Sequence, residues 1–206
     1  METNMLLDTY LKELRLPTFL RNYRKFAEEA AQANHNYDRF LLALAEQEIA
    51  QRERNRIERR IKAARFPVLK ELADGSTELA EVFDFSCISG PNKQRVLELA
   101  RGSYIHKAEP ILMVGNPGLG KTHVAIALAL AACRQGHKVR FYNAAGLVNE
   151  LILAQDEHCL PRFLATALKQ RLIVLDELGF IPFSPTGAQL IFQFCSALYE
   201  RVAMLV

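Results

Sequence analysis

The chain has 206 residues, half of them hydrophobic, which is enough for one sizeable core and a smaller second domain. A net charge of +3 and a pI near 8.7 are only mildly basic and imply no more than an anionic partner. The longest apolar run, Val124 to Cys133, is too short for a bilayer, and Met1-Glu2-Thr3-Asn4 lacks a signal-peptide pattern, so a soluble cytoplasmic protein is expected.

From Met5 to about Pro67 the chain reads as helices, with turn signals at Leu16-Pro17 and Asn34-His35-Asn36. Pro17 suits a first helical turn, and Asn36 or Asp38 suits the cap of a long helix from Tyr37 to Arg65. That helix should stop before Phe66-Pro67, because a residue preceding proline disfavours the helical conformation. Between Arg52 and Arg65 seven basic residues face two acids, a local surplus of five positive charges. Ala50, Ile57, Ile61 and Ala64 fall on one helical stripe, with Arg52, Arg56 and Arg59 opposite. The three arginines are candidates for a nucleic-acid backbone, where each neutralised phosphate releases counterions; a solvated charged face is the alternative.

Asp74-Gly75-Ser76-Thr77 is the clearest linker, dividing the chain into a helical domain over 1–74 and a second domain over 75–206. Asn92 to Arg101 reads as a helix ended by Gly102. Ile111 to Val114 reads as a buried strand, and Gly115-Asn116-Pro117-Gly118-Leu119-Gly120-Lys121-Thr122 then fits G-x-x-x-x-G-K-[ST], the Walker A loop. Its glycines let backbone N–H groups converge on a phosphate at a helix N-terminus. Lys121 would reach the β- and γ-phosphates of ATP, and Thr122 would coordinate Mg²⁺. His123 follows on the first helical turn, and its position alone assigns it no chemistry.

An alanine-rich helix over Val124–Cys133 stops at Gln135-Gly136-His137. A strand over Lys138–Tyr142 and helices near Ala144–Gln155 and Arg162–Lys169 come next. Leu172-Ile173-Val174-Leu175-Asp176-Glu177 is a buried strand ending in two carboxylates, the Walker B pattern. Asp176 is the second Mg²⁺ candidate, and Glu177 the group that would polarise the water attacking the γ-phosphate. Gly179–Gly187 reads as a rigid apolar turn, Ala188–Arg201 as a helix, and Val202–Val206 as the start of a strand with which an α/β domain seldom ends, so truncation is expected. Cys87, Cys133, Cys159 and Cys195 form no C-x-x-C pair and read as reduced, packed thiols. The consecutive residues Asp156-Glu157-His158-Cys159 cannot all converge on one ion and read as a solvated loop.

These residues resemble a known family: the IstB-like ATP-binding helper proteins of insertion-sequence transposons, relatives of DnaC-type helicase loaders within the AAA+ ATPases. The resemblance rests on Phe83-Asp84-Phe85-Ser86, Gly115 to His123, Arg140-Phe141-Tyr142-Asn143-Ala144-Ala145 with Leu147-Val148, Asp176 to Pro182, and Phe192-Gln193 through Tyr199-Glu200-Arg201. It implies an AAA+ P-loop fold, α/β with a parallel sheet in the order 5-1-4-3-2, behind a small all-α N-terminal domain. It carries the nucleotide-contact stretch through His123, and places a fifth strand, an arginine finger and sensor regions beyond Val206. It implies ATP-dependent assembly of a homo-oligomer on double-stranded DNA, used by a transposase to choose its target. A DnaC-like helicase loader and a non-hydrolysing nucleotide- or partner-binding module are the alternatives.

Overall fold

The computed structural model describes residues 2–67, 93–179 and 182–206. Packing divides the chain into Met1–Glu58 and Arg59–Val206. The linker at Asp74–Thr77, the stretch Phe83–Ser86, Cys87 and Phe180-Ile181 lie outside the described residues. No described helix is long and apolar enough to cross a membrane.

The first unit is built from α1 (Glu2–Glu13), α2 (Pro17–Gln32) and the greater part of α3 (Tyr37–Ala64). Arg15 and Asn34 take left-handed conformations at the two turns, and the Asn36 side chain accepts from the Arg39 backbone N–H at 3.0 Å, capping α3 as its sequence indicates. Leu16, ahead of α2, offers no side-chain cap. Glu48 of α3 supplies one from a distance: its carboxylate accepts the Thr18 N–H at 3.0 Å while Arg52 Nε donates to it at 2.7 Å. Burial pushes the Glu48 carboxyl up, but the hydrogen bonds from Arg52 and Thr18 outweigh it and hold the group below the usual carboxylate range. Ala50 is exposed, contrary to the apolar stripe expected of it. In this unit α3 buries Leu44 and Glu48 instead, one turn apart on another side of the helix.

In the second unit β1 (Pro110–Ile111), β2 (Val139–Asn143), β3 (Leu172–Asp176) and β4 (Ala203–Leu205) form a parallel sheet in the order β1-β4-β3-β2, the implied order for those four strands. The remaining helices are α4 (Lys93–Ala100), α5 (Ser103–His106), α6 (Lys121–Arg134), α7 (Ala144–Asp156), α8 (Leu160–Ala167) and α9 (Pro185–Leu198). β3 explains the layering. Leu172 and Val174 point into a core shared with α6, and Ile173 and Leu175 into a second core shared with α7 and α9. A strand covered on both faces reads as an unbroken apolar run, as Leu172–Leu175 does. Helix α6 buries nine residues between Val124 and Cys133, and its alanines let it lie close to the sheet. Burial pushes the thiol of Cys133 up to about 12. The end of α3 belongs to this unit, with Ala64 fully buried and Phe66 packed edge-to-face on Phe141 at 6.2 Å.

Two expectations change. The apolar run Ile111–Val114 is not a buried strand: β1 stops at Ile111, only Met113 N–H continues the pairing, to Val206 O at 2.7 Å, and Val114 is 94% exposed. As the edge strand of the described sheet, β1 has a neighbour on one side alone. Helix α9 also starts at Pro185 and ends at Leu198, three residues earlier at each end than its apolar pattern indicates. Ser184 Oγ accepts from Gly187 N–H at 3.1 Å and sets the start, with proline in the first turn.

Candidate nucleotide site

The loop Gly115–Thr122 leaves the β1 edge and enters α6, whose first residue is Lys121. Gly118 and Gly120 have φ of +82° and +77°, the left-handed region that glycine enters without cost. These conformations are why the pattern needs glycine there. A Cβ on Gly118 would meet no atom within 4 Å, so backbone conformation and not lack of space calls for glycine there. The first N–H groups of α6 have no partner within the helix, and such free donors at a helix N-terminus bind phosphate. Lys121 Nζ donates to the carbonyls of Gly115 at 2.6 Å and Asn116 at 2.8 Å. Both partners are neutral backbone oxygens, which the oxygens of a phosphate would outcompete through charge.

Thr122 Oγ1 donates to Asp176 Oδ1 at 2.9 Å. The two residues predicted to hold one cation are therefore in contact across 54 positions of sequence. Sheet order brings this about: β3 is interior, and its C-terminal end faces the loop after β1, where open α/β sheets bind ligands. A hydroxyl and a carboxylate are hard oxygen donors of the kind Mg²⁺ takes, so the pair fits that ion. His123 is exposed on the first turn of α6, and Pro117 and Leu119 are exposed on the loop.

Glu177 follows Asp176 in a left-handed conformation, with φ of +61°, which a non-glycine residue adopts at a cost of about 1 kcal/mol or more. Its Oε2 accepts from Asn143 Nδ2 at 2.6 Å. Asn143 is a member of this cluster to which motif reading gives no role. It closes β2 in register with Asp176, so its side chain is adjacent to the residue after that aspartate. The amide is oriented from its other end, because Asn143 Oδ1 accepts from the backbone N–H groups of Ala145 at 3.1 Å and Gly146 at 3.4 Å, capping α7. With the oxygen committed to the helix, the NH₂ group faces Glu177. The signal available in sequence is a helix-capping asparagine directly after a strand, and nothing local shows that it has a second partner.

The structure brings Lys121, Thr122, Asp176, Glu177 and Asn143 together and leaves the candidate nucleic-acid arginines elsewhere. Arg52 pairs with Glu48 and donates to Arg15 O at 2.8 Å, and Arg56 pairs with Glu53 at 3.3 Å. Arg59 is exposed and belongs to the second unit.

The profile described as "IstB-like ATP binding protein" matches residues 9–206. The chain belongs to this IstB-like family. It is 32% identical to a protein described as ATP-binding from insertion sequence IS5376 of Geobacillus stearothermophilus, an alignment covering 96% of this chain and 75% of that one. A counterpart from insertion sequence IS21 of Pseudomonas aeruginosa is also 32% identical, over 97% of this chain and 72% of its own. Among solved structures, the DnaC helicase loader is 24% identical over 59% of this chain and 76% of its own, with a TM-score of 0.48. AMPPCP-bound DnaA from Aquifex aeolicus is 21% identical over 57% of this chain and 39% of its own, with a TM-score of 0.49. Strand order and loop together make the second unit an α/β domain with a parallel sheet and a P-loop.

Proposed function

We propose that the chain binds ATP with Mg²⁺ at Gly115–Thr122 and Asp176, assembles on double-stranded DNA when nucleotide is bound, and assists a transposase in choosing its target. The observation that carries the reading is the Thr122–Asp176 contact, flanked by a glutamate that a neighbouring strand holds in place. Lys121 leaves its backbone carbonyls for the β- and γ-phosphates, and the N-terminus of α6 holds the phosphate chain. Thr122 and Asp176 hold the metal ion, which when bound neutralises charge on the transferring phosphoryl group. Glu177 orients and polarises water, with Asn143 fixing its carboxylate. Efficient hydrolysis also calls for an arginine supplied in trans by a neighbouring copy.

The DNA and transposase steps draw on the family's association with insertion sequences. The test is phosphate release with and without duplex DNA, alongside binding of a fluorescent ATP analogue. Lys121→Ala should abolish both, whereas Glu177→Gln should abolish release and retain binding. Phosphate release unchanged by both substitutions would refute the assignment.

A further inference from the structure

At the other edge of the sheet from the nucleotide loop, a cavity of about 830 Å³ opens between the end of α3, strand β2 and helix α8. Arg59, Arg60 and Arg65 line it from the α3 side, Lys138 from just before the edge strand, Arg140 from within it, and Arg162 from α8. Among the described residues only Glu150 and Glu157 oppose them, so six cations face two carboxylates and leave a surplus of four positive charges. The whole chain carries +3, so everything outside this cavity sums to −1. The modest basicity of the protein is therefore concentrated in one concave place.

Arg59, Arg65, Lys138 and Arg162 form no ion pair with a described carboxylate, unlike Arg24, Arg52, Arg56 and Arg95 elsewhere. Arg140 is held in position, donating to Ala63 O at 3.2 Å with its guanidinium 5.3 Å from the centre of the Tyr142 ring. Tyr142 and Phe163, with ring centres 6.4 Å apart, give the wall an apolar patch beside the cations. A single phosphate group brings at most about two negative charges, too few to match the surplus. A sugar–phosphate backbone brings one charge per nucleotide and an apolar sugar face, and arginine forks suit its phosphate oxygens.

We propose that this cavity is a groove for the phosphodiester backbone of duplex DNA, occupied while nucleotide is bound at the opposite edge. It rests on the DNA-assembly reading above and gives that reading a location. The two sites do not overlap. β1 and β2 are three strand spacings apart, about 14 Å, and Lys138 immediately precedes β2 whereas the nucleotide loop faces strand C-termini.

The experiment measures anisotropy of a labelled 20-base-pair duplex on the full chain, across salt concentrations and with a non-hydrolysable ATP analogue. The test variant is Lys138→Gln with Arg162→Gln, both exposed and unpaired among the described residues. The charge-keeping control is Lys138→Arg with Arg162→Lys. The neutral variant should bind DNA at least about tenfold more weakly at low salt, with a log–log salt slope shallower by about two. Its affinity for the analogue and its unfolding temperature should equal those of the wild type, and the control should behave as wild type in every assay. An unchanged slope in the neutral variant, with the wild type binding DNA, would overturn the groove and leave the DNA-assembly reading standing. If the wild type binds no duplex, that broader reading fails and the groove falls with it. Binding of a polyglutamate competitor that the neutral variant loses, with DNA affinity unaltered, would assign the cavity to an acidic polypeptide and overturn the proposal.

Discussion

Replacing Asn143 separates two jobs done by one side chain. Asn143→Ala removes the donor to Glu177 and the oxygen that caps α7. The cap is worth about 1 kcal/mol, which in a chain of this size lowers the unfolding temperature by about 2–4 °C. The bond to Glu177 is charge-assisted but exposed, so its worth lies near the lower end of about 1.5–3 kcal/mol. If that energy holds Glu177 in its working position, its loss slows phosphate release about tenfold. Asn143→Asp tells the effects apart. It keeps a capping oxygen, so it should retain the cap's share of the stability and lose only that of the bond to Glu177. Yet it offers Glu177 no donor and sets a second carboxylate against it, so phosphate release should fall at least as far as in Asn143→Ala. Binding of an ATP analogue should change less than about twofold in either variant, since Asn143 touches no residue of the loop among its hydrogen bonds. Wild-type phosphate release in both would show that Asn143 serves only as a cap.

Other substitutions test the scaffold. Gly187 lies in the first turn of α9, where alanine has the better helix propensity by about 1 kcal/mol. A Cβ there would stand 2.8 Å from Val148 Cγ1 of α7, so Gly187→Ala should destabilise by about 1–3 kcal/mol net of that gain. A raised unfolding temperature would show that the two helices separate freely. Glu48→Gln removes a charge-assisted cap on α2 and should lower stability at pH 7. Because the folded Glu48 carboxyl lies below its ordinary value of 4.5, its contribution is fully present above that pH and is lost as pH falls through the lowered value. The stability difference between Glu48→Gln and wild type should therefore shrink on acidification below about pH 4.5. A difference independent of pH would assign the effect to packing.

How much of this was legible depended on whether a structural demand fell on residue type or on residue pairing. The loop demanded left-handed backbone at Gly118 and Gly120, a cation at Lys121 and a hydroxyl at Thr122, and each demand selects few residues. Strand β3 demanded apolar side chains on both faces and acids at its end, again a local pattern. The Thr122–Asp176 contact follows once the two motifs share a sheet. The long helix of Tyr37–Ala64, its cap and the breaks at Gly102 and Gly136 were likewise written in local chemistry.

What escaped sequence reading was decided by neighbours far along the chain. Asn143 caps α7, and its bond to Glu177 exists because β2 pairs in register with β3, placing Asn143 opposite Asp176. Ala50 has the angular position of Ile57, Ile61 and Ala64, yet lies exposed because that part of α3 buries Leu44 and Glu48. The basic run from Arg52 to Arg65 looked like one feature because charge was counted along the chain. Folding divides it: Arg52 and Arg56 are neutralised by Glu48 and Glu53, while Arg59, Arg60 and Arg65 converge with Lys138, Arg140 and Arg162. Charge that lies close in sequence is cancelled locally, and charge that is distant in sequence accumulates. The groove therefore makes Lys138 and Arg162, neither of them in the basic run, stronger determinants of DNA affinity than Arg52 or Arg56. Neutralising Arg52 and Arg56 should leave the salt slope of duplex binding unchanged, whereas neutralising Arg59 should lower it by about one. A lowered slope in the Arg52 and Arg56 variant would return the contact to the solvent face of α3.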